Sequence, residues 1–79
     1  MDRGEVAAKI QEIFRDLFDD ESLVIQDETT AADVEDWDSL QHINLITAVE
    51  RTFGIRFSMQ EVVAFQKVGD MIDCVLSKL

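Results

Sequence analysis

Apolar residues at the start of the chain recur at intervals of three and four, which is the spacing of one face of an α-helix. Charged residues fall between them and would lie on the opposite face. Asp2 and Glu5 are also placed to form a capping box at the beginning of this helix. We therefore predict an amphipathic helix over Val6–Phe18, with its inward residues at Val6, Ile10, Ile13, Phe14, Leu17 and Phe18.

Helical signals return in the second half of the chain, where three further helices are predicted. The first follows Asp38, a favourable N-cap residue, and ends at Gly54, because glycine readily adopts the left-handed conformation of a helix terminus. A short helix occupies Gln60–Phe65 after a capping box that begins at Ser58, and a closing helix spans Gly69–Leu79. The predicted inward stripe of the second helix is Leu40, Ile43, Ile46 or Thr47, Val49 and Phe53.

The segment between the first two helices is a long loop, Ser22–Trp37, without helical periodicity. A structureless loop of this length is unusual in a compact domain, so its apolar residues are expected to hold it across the bundle. The 79 residues contain no internal repeat and suffice for one domain, 1–79. We predict an all-α fold, a small bundle of three main helices and one short helix, with loop anchors at Leu23, Val24, Ile25, Val34 and Trp37.

The charge of the chain limits its partners. Seventeen acidic residues against seven basic ones give a net charge of −10. Such a surface repels phosphate backbones and anionic lipid headgroups and favours basic protein surfaces, so we expect no nucleic acid and no membrane as partner. The start of the chain lacks the apolar region of a secretory signal, which predicts a cytoplasmic protein. The single cysteine, Cys74, excludes an internal disulfide and is predicted to be a small buried residue.

The stretch Asp36-Trp37-Asp38-Ser39-Leu40 places a hydroxyl at the start of a helix. Backbone N–H groups and the helix dipole at that position favour an anion such as a phosphodiester. The alternative is a serine that only bonds a backbone N–H, as helix-start serines often do. The sequence therefore leaves Ser39 either as an attachment point or as a cap.

Catalytic and metal-binding alternatives find little support in the residues. His42 is the only histidine, and neither an orienting acid nor a nucleophile elbow nor an oxyanion-hole signature accompanies Ser39. The acidic loop that starts at Asp33 has no glycine at its sixth position and Asn44 where a calcium loop needs glutamate, so it fails that pattern. We predict no catalytic residue and no metal site.

The order of these features resembles that of the acyl carrier proteins. Over nearly the whole chain, a helix and a long loop precede Asp38-Ser39-Leu40, and Glu50, Phe53-Gly54-Ile55, a short helix and a closing helix follow. The resemblance implies that Ser39 carries 4′-phosphopantetheine, whose thiol holds an acyl cargo, and that the protein is not an enzyme. It further implies that Asp38 helps a phosphopantetheinyl transferase to engage coenzyme A, and that Leu40 either anchors the helix start or contacts partner enzymes.

The resemblance also implies partners: the transferase, and the acyl-loading, condensing or tailoring enzymes of fatty acid, polyketide or related biosynthesis. The chain is expected to be a monomer when it binds them. The second helix departs from that of fatty-acid carriers, because Gln41 and Asn44 are neutral and Arg51 is basic. A specialised free-standing carrier fits this difference better, while a peptidyl or aminoacyl carrier and an unmodified interaction module remain alternatives. Partner contacts are predicted at Trp37, His42, Leu45, Ile46 and Glu50.

A long apolar cargo would be sheltered between the second and third helices. A short or polar cargo would gain little there, because burial contributes only about 0.8 kcal/mol per methylene. The sequence does not decide between these cargoes. The shelter is predicted near Ile43, Ile46, Val62, Val63 and Phe65.

Overall fold

The computed structural model describes all 79 residues, which form four helices joined by loops and no β-strand. Helix α1 spans Arg3–Leu17, α2 spans Ser39–Phe53, α3 spans Met59–Ala64 and α4 spans Val68–Lys78. The predicted all-α bundle of three main helices and one short helix is confirmed. No helix here combines the length and the hydropathy that a membrane span requires.

Helix α1 begins directly after Asp2, three residues before the predicted start at Val6, and α2 begins and ends where its capping residues predict. The side chain of Asp2 accepts a hydrogen bond from the backbone N–H of Glu5 at 2.8 Å, which satisfies one of the free donors of α1. The side chain of Asp38 accepts in the same way from Gln41, also at 2.8 Å. Gly54 follows α2 in the left-handed conformation, with φ at 66°, and so ends the helix.

The two later helices are capped by different means. Ser58 and Glu61 form the predicted capping box of α3, with both side-chain-to-backbone hydrogen bonds present. Lys67, the N-cap residue of α4, makes no such bond. The N–H groups of the first two residues of α4 instead donate to the carbonyl oxygens of Thr29 and Asp27 in the long loop, both at 2.9 Å. The loop therefore supplies the cap that the sequence of α4 lacks.

The core lies where α1, α2 and α4 pack together. Leu45 and Val49 of α2 are completely buried and Ile46 is 7% exposed, whereas Leu40 and Ile43 are 68% and 61% exposed. The predicted inward stripe was therefore wrong for Leu40 and Ile43. Apolar residues occur on two faces of α2, and the core covers only one of them. The buried cluster consists of Val6, Ile10, Phe14, Leu45, Ile46, Val49, Val68, Met71, Ile72 and Val75.

The loop between α1 and α2 packs across the bundle as expected, with one exception. Val34 is buried, and Leu23, Ile25 and Trp37 pack partly buried against the core. Val24 is 62% exposed and is not an anchor. Its two neighbours turn inward, so the side chain between them is left facing solvent.

Arg3 joins the beginning of the chain to this loop and to the last helix. Its guanidinium donates to the carboxylate of Asp27 at 2.9 Å and to that of Asp73 in α4, and these two bonds raise the pKa of Arg3. All three groups are exposed, so the pairs stabilise the fold only modestly.

Helix α3 contains no buried residue and is held mainly through its flanks. The side chain of Glu50 in α2 accepts a hydrogen bond from the backbone N–H of Phe57 at 2.8 Å, just before α3 begins. The rings of Phe57 and Phe65 then meet edge to face across the helix, with their centroids 5.3 Å apart. Contacts on both flanks of α3 therefore help to fix its position.

Glu61 connects α3 to the closing helix. Its carboxylate accepts from the ammonium group of Lys78 at 3.0 Å and from the thiol of Cys74 at 3.2 Å. Hydrogen bonds from the Ser58 backbone and from Lys78 lower the pKa of Glu61 to about 2. Partial burial and the neighbouring carboxylate raise the pKa of the Cys74 thiol to about 11. Cys74 is thus a partly buried donor at the edge of the bundle, which corrects its predicted place in the core.

Candidate functional site

The hydroxyl of Ser39 is free and exposed at the first residue of α2. Its Oγ atom takes part in no hydrogen bond, and the backbone N–H groups of Ser39 and Leu40 have no partner within the chain. Asp38 caps the next donor, that of Gln41, and so fixes the start of the helix. Two unbonded N–H groups at the positive end of a helix dipole favour a negatively charged substituent on this oxygen.

An apolar groove of about 630 Å³ opens beside Ser39. Helix α2 forms one wall and α3 forms the other, and Ile43, Met59 and Val63 expose 61%, 77% and 74% of their surface around it. The groove could cover a flexible apolar chain attached at Ser39. Its lining residues are Ala31, Trp37, Asp38, Ser39, His42, Ile43, Met59, Val62, Val63, Phe65 and Gln66.

A chain of hydrogen bonds closes one wall of this groove. The indole Nε1–H of Trp37 donates to Nδ1 of His42 at 3.2 Å, and Nε2 of His42 lies 3.4 Å from the carbonyl oxygen of Val62 in α3. Because the indole nitrogen can only donate, Nδ1 must accept, which places the imidazole proton on Nε2 and lets it donate to Val62. The two rings stack with centroids 5.9 Å apart, and Phe14 meets Trp37 edge to face at 5.2 Å.

This arrangement separates His42 from the chemistry of Ser39. Both ring nitrogens of His42 already have partners, and neither partner is the serine hydroxyl. A serine nucleophile needs a base within hydrogen-bond reach and an oriented acid behind that base. The geometry contains neither element, and no group of three or more potential ligands converges to hold a metal ion.

Three of the five residues predicted to contact partners have other contacts in the fold. Leu45 is fully buried and Ile46 is 7% exposed, so the prediction that they meet partners on the surface was wrong. Ile46 also lies in the core and outside the groove where it was expected to shelter cargo. Glu50 is partly buried, and its carboxylate holds the backbone of Phe57. Trp37 and His42 stand at the groove, partly exposed.

The structure adds groove residues that the sequence reasoning did not single out. Met59 lies at the start of α3, and Ala31 and Gln66 come from the flanking loops. The spacing of Met59 with Val62 and Val63 places the three on one face of a helix, and this signal was available in the sequence. No comparable pattern marks Ala31 or Gln66, which reach the groove only through the path of the loops.

Comparison with known proteins agrees with this geometry. Residues 8–75 match the family described as a phosphopantetheine attachment site, which covers most of the chain. The fold is similar to the solution NMR structure of a holo acyl carrier protein from Geobacter metallireducens, with a TM-score of 0.87 and 41% sequence identity over 92% of this chain and 84% of that one. No protein of curated function matches the chain significantly. The chain belongs to the phosphopantetheine-attachment family.

Membership of this family defines the cofactor and the class of the protein. The prosthetic group is 4′-phosphopantetheine, and the predictions that the chain binds it and is a carrier, not an enzyme, are confirmed. The residues at the start of α2 fit this group. The free hydroxyl could form the phosphodiester, the two unbonded N–H groups at the helix start would stabilise its charge, and the adjoining groove is apolar.

Proposed function

We propose that this chain is an acyl carrier protein that bears its prosthetic arm on Ser39 and delivers acyl groups to biosynthetic enzymes. The observation that carries the proposal is the exposed, unbonded Ser39 hydroxyl at the positive end of α2, beside an apolar groove. When attached, the arm supplies a terminal thiol that holds the acyl group as a thioester. The chain itself holds the attachment point, covers the cargo and presents it at high effective concentration to a docked enzyme.

Intact-mass measurement tests the attachment site directly. The chain is incubated with coenzyme A and a broad-specificity phosphopantetheinyl transferase, and a gain of one phosphopantetheine per molecule is expected. Ser39→Ala should show no gain. Ser58→Ala is the matched control, because Ser58 also lies at the start of a helix but already serves its capping box, so this variant should still be modified. No gain in the wild-type chain, or an equal gain in Ser39→Ala, would favour the alternative of an unmodified interaction module.

The polarity of the groove supports an acyl cargo over an aminoacyl or peptidyl one. The nitrogen atoms of Trp37 and His42 are satisfied within the wall, so neither remains free to bond a polar cargo. Ile43, Val62 and Val63 supply apolar surface nearby. Each methylene that leaves water contributes about 0.8 kcal/mol, so the groove favours a long apolar chain over a short or charged one.

Chemical-shift comparison tests this cargo assignment. The holo form and a long-chain acyl form are compared by NMR, and changes are expected at Ile43, Val62, Val63 and Phe65, which line the groove. Val49 in the closed core serves as the internal control and should stay unchanged. Unchanged signals at the groove residues would mean that the cargo remains in solvent.

We propose two kinds of partner for this monomeric, single-domain carrier. The transferase is expected to engage Asp36 and Asp38 beside the attachment point, while acyl-loading, condensing or tailoring enzymes dock around the start of α2 through Trp37, Leu40 and His42. The neutral Gln41 and Asn44 and the basic Arg51 support a specialised polyketide, modified-lipid or related pathway over primary fatty acid synthesis. The proposed location is the cytoplasm, where coenzyme A is available as the donor of the arm.

A further inference from the structure

Two arginines without ion pairs share a depression at the end of α2 remote from Ser39. Arg51 and Arg56 are both exposed and line this surface depression, of about 430 Å³, with Thr47, Glu50, Gly54 and Ile55. Neither guanidinium forms an ion pair with a carboxylate. The carboxylate of Glu50 belongs to the same depression, but it accepts the backbone N–H of Phe57.

Unpaired arginines are unexpected on a chain with 17 acidic and seven basic residues. Arg3 and Lys78 both bind carboxylates, and Arg15 donates to the carbonyl oxygen of Leu23 at 2.8 Å. Lys9 and Lys67 are also without ion pairs, but they lie on separate elements, in α1 and just before α4. Arg51 and Arg56, in contrast, place two free cations in one depression.

The depression continues the exposed side of α2 that begins at Ser39. Leu40, Asn44, Thr47 and Arg51 recur at intervals of three and four, and all four are exposed. Arg51 lies twelve positions after Ser39, which corresponds to ~18 Å along a helix. At physiological salt the screening length is about 8 Å, so the acidic loop beside Ser39 contributes little field at the arginines. The two ends of this side therefore differ in local charge.

We propose that Arg51 and Arg56 form a docking site for an acidic segment of a partner protein, a run of aspartate or glutamate side chains. Guanidinium groups match carboxylates in a two-pronged geometry, and two of them in one depression select a charged segment over a neutral one. The identity of the partner as an enzyme that acts at Ser39 rests on the proposed carrier function. The site itself rests on the charges and positions of the two arginines.

A peptide titration tests the site without knowledge of the natural partner. The ¹⁵N-labelled holo protein is titrated with hexaglutamate at ~0.1 M salt, where the screening length is about 10 Å. Amide shifts are expected at Thr47, Arg51, Gly54, Ile55 and Arg56. The double variant Arg51→Gln/Arg56→Gln should weaken this binding about tenfold or more. The matched control is Lys9→Gln/Lys67→Gln, which also removes two positive charges, but from other surfaces, and should retain the binding.

Each other outcome of the titration contradicts the proposal. No shifts at the depression, or equal losses in the two double variants, would mean that no local acidic-segment site exists there. Equal shifts with inorganic phosphate would indicate a simple anion site, not a site for a protein segment. Ser39→Ala should bind hexaglutamate as the wild type does, so a failure of this titration is separate from a failure of modification at Ser39.

Discussion

Replacing Leu45 by alanine should destabilise the bundle far more than replacing Leu40, although the two leucines lie on the same helix. Leu45 is completely buried, whereas Leu40 is 68% exposed. Truncating a buried leucine costs about 2–5 kcal/mol, while a surface change usually stays within about 0.5 kcal/mol. A 79-residue domain is stable by roughly 4–12 kcal/mol. Leu45→Ala should therefore remove a large share of the free energy of unfolding.

Urea unfolding followed by far-ultraviolet circular dichroism measures this difference. Leu45→Met keeps the volume of the side chain and should cost less than about 1.5 kcal/mol, which gives a folded variant if Leu45→Ala is too unstable to study. In the modification assay, Leu45→Met should react with the transferase at the wild-type rate, because the variant keeps the start of α2 folded. A similar loss of stability in Leu40→Ala and Leu45→Ala would refute the orientation of α2 described above.

Three further predictions concern titration and the backbone. The pKa of Glu61 falls from its ordinary value of 4.5 to about 2, so the stabilisation by its carboxylate is complete above pH 4.5 and is lost as the pH falls toward 2. The free energies of unfolding of Glu61→Gln and the wild type, measured in urea, should therefore converge over that range. A thiol whose pKa is raised from 9.0 to about 11 has about 100-fold less thiolate at neutral pH. Cys74 should therefore react with a disulfide reagent about 100-fold more slowly than an ordinary cysteine, and the absorbance of the released thiol measures this rate. Gly54→Ala should lower the free energy of unfolding by about 1–2 kcal/mol, because φ is 66° and alanine is strained in this left-handed conformation. No neighbour contacts the added methyl group, so no steric clash adds to this cost. An unchanged unfolding midpoint would contradict this.

Local signals in the sequence were enough to predict the helices and most of their ends. Asp38, Gly54 and Ser58 each act through atoms of their own or neighbouring residues, so the sequence carries the whole interaction. The same is true of Ser39, whose position at a helix start follows from the cap beside it. The groove beyond Ser39 depends on two helices meeting, and its apolar residues were predicted in part from their spacing.

The orientation of α2 could not be predicted from its own residues. Leu40 and Ile43 fit a three- and four-residue period as well as Leu45 and Val49 do, so periodicity alone does not identify the buried face. The choice depends on where α1 and α4 lie, which is a property of the whole fold. The burial of Cys74 was wrongly predicted for the same reason. Its thiol contacts Glu61, which is 13 residues distant in the sequence, and this contact at the edge of the bundle depends on the whole fold.

The two apolar faces of α2 make different contacts, one with the core and one with the groove. One face, with Leu45 and Val49, closes a core with α1 and α4 and fixes the start of the helix, so Ser39 has a rigid support. The other face, with Ile43, lies opposite α3, which contains no buried residue. One hydrogen bond joins the two helices, from His42 to the carbonyl oxygen of Val62. Separating α3 from α2 therefore breaks few contacts and leaves the core intact. We therefore expect the groove to widen by movement of α3 while Ser39, the proposed attachment point, keeps its place.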